Sequence, residues 1–303
     1  LSTDLVLGDN VRYQVNYYVD NGFHWNFGFR TRYVKFIDDI TITGGAFQND
    51  NVVADSEKLS LNYNDFTTQF YAQTTYKQRF ITGLGLEHKY LKVFNNSTIS
   101  GQTNKIFYEN ANYYNAYFYL KLDTYDAKYY PKNGVGFSTT YRAYLASSAK
   151  PFAAFTQLEG SLSFAKSFYK KYTFQFITEA GTTIGVNNDV GLNFHLGGGA
   201  QNAVNTFRPF YGYAVADLKE NGFLKSTFIV RRELFKANYL SLIANYSRVA
   251  HDLFNKGNLF ENTKTGYAIS YGINSFLGPI ELIYTWSPDT TQKFWYLNFG
   301  FWF

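Results

Sequence analysis

The sequence predicts an all-β fold, a transmembrane antiparallel β-barrel with about fourteen strands visible in the chain. Three observations predict it. First, apolar and polar residues alternate with a period of two along the 303 residues, in runs of roughly 10 to 15 residues. Soluble strands peak near 5 or 6 residues, whereas a tilted membrane strand needs roughly 9 to 11. Second, aromatic residues reach 21%, with 28 Tyr, 31 Phe and 4 Trp. A buried tyrosine hydroxyl needs a partner, while headgroup depth at a membrane surface favours such rings. Third, the chain ends in "TQKFWYLNFGFWF", where Trp295, Leu297, Phe299, Phe301 and Phe303 share one face of a strand.

The elements follow in order. After a strand at 1–8, Val11, Tyr13, Val15, Tyr17 and Val19 alternate with Arg12, Gln14, Asn16, Tyr18 and Asp20 along 10–20. Asn21-Gly22 follows, and the strand at 23–36 sets Phe23, Trp25, Phe27 and Phe29 against His24, Asn26, Gly28 and Arg30. Asn-Gly between two such runs is the strongest short-range hairpin signal. A polar loop, "DDITITGGAFQNDNVVADSEK", precedes strands at 59–76 and 78–94. A second, "NNSTISGQTNKIFYEN", precedes 111–125 and 134–146, which lead to 152–169 and 172–185. A glycine-rich connection covers 186–224, and strands near 225–236, 238–250, 265–276, 277–287 and 292–303 finish the chain. Short turns alternate with long connections, as periplasmic turns and outer loops do in outer-membrane barrels. No helical pattern, linker or compositional shift interrupts residues 1–303, which read as one barrel domain.

Composition narrows the function classes. Mean hydropathy is −0.28 and no run approaches the roughly 20 apolar residues of a spanning helix. Five prolines suit long strands. The absence of cysteine removes disulfides, thiolate metal sites and thiol nucleophiles together. The net charge of +5 is scattered, without the basic run or helix that nucleic acid requires. His24, His88, His195 and His251 lack metal-ligand spacing, so neither metal nor cofactor is expected. The chain has no Met and begins "LSTDLVLGDN", which predicts a processed or truncated piece of a longer protein.

The segments "YYVDNGFHWNFGFRTRY", "KLDTYDAKYYPKNGVGF", "FRPFYGY" and "GPIELIYTWSPDTTQKFWYLNFGFWF" together resemble the C-terminal barrel of Bacteroidetes-type patatin-like phospholipases. That barrel is similar to those of the bacterial surface antigen superfamily, which includes assembly and two-partner-secretion barrels. The resemblance implies sixteen strands, of which about two lie upstream of this chain, and a long loop folded into the lumen after the eleventh. Five strands follow the 186–224 connection, so the connection falls where that loop belongs. In the family the loop carries an Arg held by an acidic residue of the barrel wall. Here "NTFRPFYGY" supplies Arg208, with Gly212 and Tyr213 after it, and Glu233 on the next strand is the expected acidic partner. "DTYDAKYYPKNG" resembles the superfamily's Asp, Asp, Pro, Gly turn through Asp123, Asp126, Pro131 and Gly134, a structural rather than chemical motif. The terminal Phe resembles the signal read by the outer-membrane assembly machinery. The resemblance further implies a Gram-negative outer membrane, lipid as the surrounding partner, and an upstream patatin-like hydrolase of phospholipid acyl esters.

That hydrolase chemistry is not legible in this chain. A patatin-type site needs a G-x-S-x-G serine on a strand-to-helix turn and an Asp-Gly aspartate. The nearest match is Ser270 in "AISYG", inside a strand pattern, and there is no Asp-Gly pair. "LGGGAQN" at 196–202 lacks the Lys-Ser/Thr and helix of a phosphate loop. The expected role is therefore an anchor, and a possible passage, for an upstream hydrolase. An assembly or secretion barrel, or a passive diffusion channel, is the alternative. A soluble β-protein is the remaining one, but its exposed apolar edge would invite aggregation.

Overall fold

A computed structural model of the chain describes residues 1–6, 11–20, 24–48, 51–99, 102–169, 171–185, 192–199, 207–251, 253, 261–276 and 278–299. Among them the fold is all-β. Nine strands come first: β1 (Ser2–Val6), β2 (Val11–Val19), β3 (Asn26–Gln48), β4 (Asn51–Tyr76), β5 (Phe80–Ile99), β6 (Gln102–Asp123), β7 (Asn133–Ser147), β8 (Phe155–Phe168) and β9 (Tyr172–Ile184). Three short strands follow, β10 (Phe194–Leu196), β11 (Phe207–Arg208) and β12 (Leu218–Glu220). The last five are β13 (Gly222–Phe235), β14 (Asn238–Ala250), β15 (Lys264–Ser275), β16 (Gly278–Trp286) and β17 (Lys293–Phe299). Fourteen strands form one antiparallel sheet in chain order from β1 to β17, while β10, β11 and β12 form a separate small sheet.

Alternation decides which face each residue takes. On β4, Phe66 and Phe70 point outward and are exposed, whereas Asp65, Thr67, Gln69 and Tyr71 point inward and are buried. On β5, Leu84 and Leu86 are outward, and Glu87 and Lys89 inward. Trp25, Phe27, Tyr13, Tyr17 and Val19 are outward too. The apolar face is thus outside and the polar face inside, the reverse of a water-soluble sandwich and the pattern of a barrel in lipid. The Asn21-Gly22 hairpin and Phe23 lie outside the described residues.

Two segments differ from the sequence reading. The presumed loop "DDITITGGAFQNDNVVADSEK" is mostly ladder, with β3 and β4 paired from Asn26↔Gln73 to Gln48↔Asn51. Likewise β5 and β6 continue to Ile99↔Gln102 through "NNSTISGQTNKIFYEN", across one bulge at Val93/Phe94. Their β-branched residues favour extended backbone, but their lack of an apolar face disguised them as loops. Both hairpins run past the length a membrane strand needs, on the same end of the sheet as the β7–β8 and β16–β17 connections.

The connection between β9 and β13 enters the inside of this sheet. Leu192, Phe207 and Ala216 join a core with Val34, Phe36, Leu61, Tyr63, Leu91, Val93, Tyr113 and Phe155, from the inner faces of β3–β8. Tyr211 packs instead with Ile243, Ala268 and Ile283 of β14–β16 and with Tyr296 of β17. One segment touching both halves of the inner face requires the sheet to curl around it. Apolar side chains here point inward because they meet the segment rather than water.

Candidate lumen site

The inner wall is charged, and its charges are arranged in pairs. Asp65 accepts hydrogen bonds from Lys89 at 2.8 Å and from Thr67 at 2.5 Å, with Arg32 at 4.0 Å. Glu87 accepts from Gln69 at 2.5 Å and Asn115 at 2.8 Å and lies 3.2 Å from Arg142 Nε. Buried charge is tolerable only when compensated in this way.

Arg208, on β11 of the inward segment, joins that network. Its Nη2 donates to Glu159 Oε2 on β8, and its Nε lies 3.4 Å from Glu179 Oε1 on β9. Glu179 also receives Lys225 Nζ at 2.5 Å, and Glu159 has Arg142 at 3.7 Å. The acidic partners are therefore Glu159 and Glu179, not Glu233. Depth explains the correction. Glu179 is level with Lys225 on β13, and Glu233 lies eight residues farther along that strand, roughly 25 Å at the rise of an extended chain. Glu233 instead receives Lys132 Nζ at 2.6 Å.

Gly212 and Tyr213 face the opposite wall. Gly212 has φ of +86°, and a Cβ there would lie 2.5 Å from the Trp286 carbonyl oxygen, so glycine lets the backbone approach β16. Tyr213 Oη donates to Asp289 Oδ2 at 2.8 Å in the β16–β17 turn. Burial works against the Asp289 anion, but bonds from Thr265 and Tyr213 outweigh it and hold that carboxyl below its ordinary range. Tyr213 thus fastens the segment to the rim while Arg208 fixes it to β8 and β9. His195, between them on β10, stacks on Phe207 with ring centroids 4.5 Å apart. Burial, with Lys219 alongside, pushes its imidazole down to about 3.

A second segment enters the barrel from the other end. The β6–β7 turn is closed by its acidic residues: Asp123 accepts the Tyr125 N–H at 3.0 Å, and Asp126 accepts those of Lys132 at 2.9 Å and Asn133 at 3.1 Å. These donors outweigh partial burial and lower the Asp126 pKa. Gly134 adopts φ of +134° where the chain leaves the turn. Tyr130 then reaches across to stack on Tyr239 of β14, 4.5 Å between centroids, and the Pro131 carbonyl accepts Arg231 Nη1 at 3.3 Å. Sequence reasoning assigned this motif to its turn and missed its reach, because Arg231 is a hundred residues away.

The remaining candidates are quickly placed. Ser270 lies mid-strand on β15, buried, donating to Glu281 Oε1 at 2.8 Å, away from any strand-to-helix turn. Trp295, Leu297 and Phe299 are exposed on the outer face of β17, and Phe301 and Phe303 lie outside the described residues. Among the described residues no group of His, Asp and Glu is placed to hold a metal ion.

Solved structures share this architecture. BamA from Haemophilus ducreyi lacking POTRA domains 1–3 matches with a TM-score of 0.68 at 11% identity, over 96% of this chain and 62% of that one. CdiB from Acinetobacter baumannii matches at 0.58 and 11%, over 95% and 49%. CdiB from Escherichia coli matches at 0.58 and 11%, over 96% and 53%. The chain therefore spans about half to three fifths of the length of these structures. No curated protein matches its sequence. The profile of the OMP85 superfamily matches residues 1–303 from end to end. With an apolar outer face, a polar inner wall and an inward segment between β9 and β13, this chain is an integral outer-membrane β-barrel and belongs to the OMP85 superfamily.

Proposed function

We propose that this barrel is the membrane anchor of a larger polypeptide, with its lumen closed at rest, and that the anchored domain is a patatin-like serine hydrolase acting on phospholipid acyl esters. The observation that carries the anchor reading is the occupied lumen: Arg208 is held between Glu159 and Glu179, and Tyr130 crosses from the other end. A passive diffusion channel needs an open bore. The hydrolase half is supported by the resemblance of "KLDTYDAKYYPKNGVGF" and the terminal segment to patatin-linked barrels. On this reading residues 1–303 form one barrel domain of a sixteen-stranded whole, and the row from Trp295 to Phe303 is its assembly signal. An assembly or two-partner-secretion barrel of the same superfamily is the competing reading, in which periplasmic substrate-binding repeats replace the hydrolase.

The test is labelling with a fluorophosphonate probe, which reacts with activated serines. The full native polypeptide should label, residues 1–303 alone should not, and Ser270→Ala in the full polypeptide should label like the parent. A full polypeptide that takes no label and releases no fatty acid from phospholipid sinks the hydrolase reading.

A further inference from the structure

Below Arg208, toward the end of the barrel with the short turns, the lumen keeps a cavity of about 650 Å³. That volume falls within the usual range for small-molecule sites. Among the described residues its lining carries six cations, Arg12, Arg30, Arg32, Lys121, Arg142 and Arg208, against one carboxylate, Glu159. Three of these cations are paired with acids of the wall: Arg32 with Asp65, which Lys89 also meets, Arg142 with Glu87 and Glu159, and Arg208 with Glu159 and with Glu179, which Lys225 also meets. Arg30 has a different setting. Its Nη1 meets the neutral amide oxygen of Gln69 at 3.5 Å, and its guanidinium lies 5.6 Å from the centre of the Tyr71 ring.

Like charges around a concave, low-dielectric wall focus a positive potential into the space they enclose. Guanidinium groups present paired donors that fit phosphate and carboxylate oxygens two at a time. Hydroxyl and amide groups of Ser138, Thr140 and Gln14 in the same lining supply the neutral bonds a polar ligand also needs. We propose that this chamber is a binding site for a small polyanion bearing phosphate groups, with Arg30 as its principal contact. The site belongs to the barrel itself and stands whichever domain the barrel anchors.

The experiment is calorimetric titration of the detergent-solubilised full polypeptide with sodium tripolyphosphate at constant ionic strength. One saturable site is expected. Arg30→Gln should weaken it at least tenfold, Arg30→Lys should restore most of the loss, and Arg232→Gln, on the outer surface of β13, should leave it unchanged. Phosphatidic acid added to the micelles separates two sources of the same chemistry: competition assigns the phosphate to a lipid headgroup, and its absence to a free anion. Should Arg30→Gln fail to fold, phenylglyoxal modification of the wild-type protein decides. Tripolyphosphate should protect Arg30 but not Arg232. Absence of saturable binding, equal binding by folded Arg30→Gln, or modification of Arg30 unaffected by tripolyphosphate overturns the proposal.

Discussion

Tyr71, Tyr117 and Tyr119 each lie over a glycine that is their direct cross-strand partner, Gly28, Gly85 and Gly83 respectively. The missing Cβ leaves a recess on the inner wall, and the ring fills it, a device that pins register and relieves glycine's weakness in a strand. The ring then reaches one strand farther. Tyr71 Oη donates to Asn16 on β2 at 2.9 Å, and Tyr119 Oη to Gln73 on β4 at 2.7 Å. Composition alone suggested headgroup depth for the tyrosines. Tyr13, Tyr17 and Tyr141 do face outward, but a residue count cannot separate the two faces. Gly85 gives the sharpest test, because a Cβ there would lie 2.5 Å from the Phe70 carbonyl oxygen and 2.6 Å from the Tyr117 ring. Gly85→Ala should cost about 1–3 kcal/mol by overpacking, read as a lower urea midpoint of the barrel in detergent. A midpoint within error of the parent would mean that the ring and backbone yield freely and that the recess does not pin the strands.

At the scale of elements, the inward segment and the β6–β7 turn are held by contacts of different strength. Arg208→Ala removes a charge that Glu159 and Glu179 share, and breaking a buried pair from one side costs about 3–5 kcal/mol. The segment should then leave its dock often enough to raise single-channel conductance in planar bilayers well above the parent. Lys132→Gln should change conductance little, because the Lys132–Glu233 pair is half-exposed, at 38% and 21%, and such pairs contribute about 0–1 kcal/mol. His195 adds a pH dependence. Its folded pKa is depressed, so docking is at full strength above the ordinary histidine value of 6.5 and weakens as pH falls from there toward about 3. Acidifying to pH 4.5 should raise conductance, and His195→Phe, which keeps the stack on Phe207, should flatten that response. An unchanged response in the variant would move the acid sensitivity to another group. These docks were only partly legible in the sequence. Period-two runs placed all fourteen wall strands and located the segment, because alternation is a local property. The partners of Arg208 and the reach of Tyr130 were not legible, since curling of the sheet, rather than spacing along the chain, brings β8, β9 and β13–β15 to them.

For the whole molecule, the deciding question is what its outer face meets. Leu84 and Leu86 on β5, Phe70 on β4, Leu162 on β8, Val230 on β13 and Leu242 on β14 are exposed apolar residues of the outer face, distributed around the sheet. In water so large an apolar band would drive association, and in a bilayer it is the solvent-matched surface. Arginine distinguishes the two environments. Leu86 is 66% exposed and lies far from either end of β5, while Tyr169, at 93%, sits in the β8–β9 turn. On a water-exposed surface both arginine substitutions would shift stability by about 0.5 kcal/mol or less. In lipid, Leu86→Arg should cost about 2–4 kcal/mol when folding is measured in vesicles, and Tyr169→Arg about 0–1 kcal/mol, because the cost of a charge falls with distance from the midplane. The depth gradient itself is the prediction. Equal, small effects at both positions would mean that β5 does not present Leu86 to hydrocarbon, and the membrane placement of this sheet would have to be redrawn.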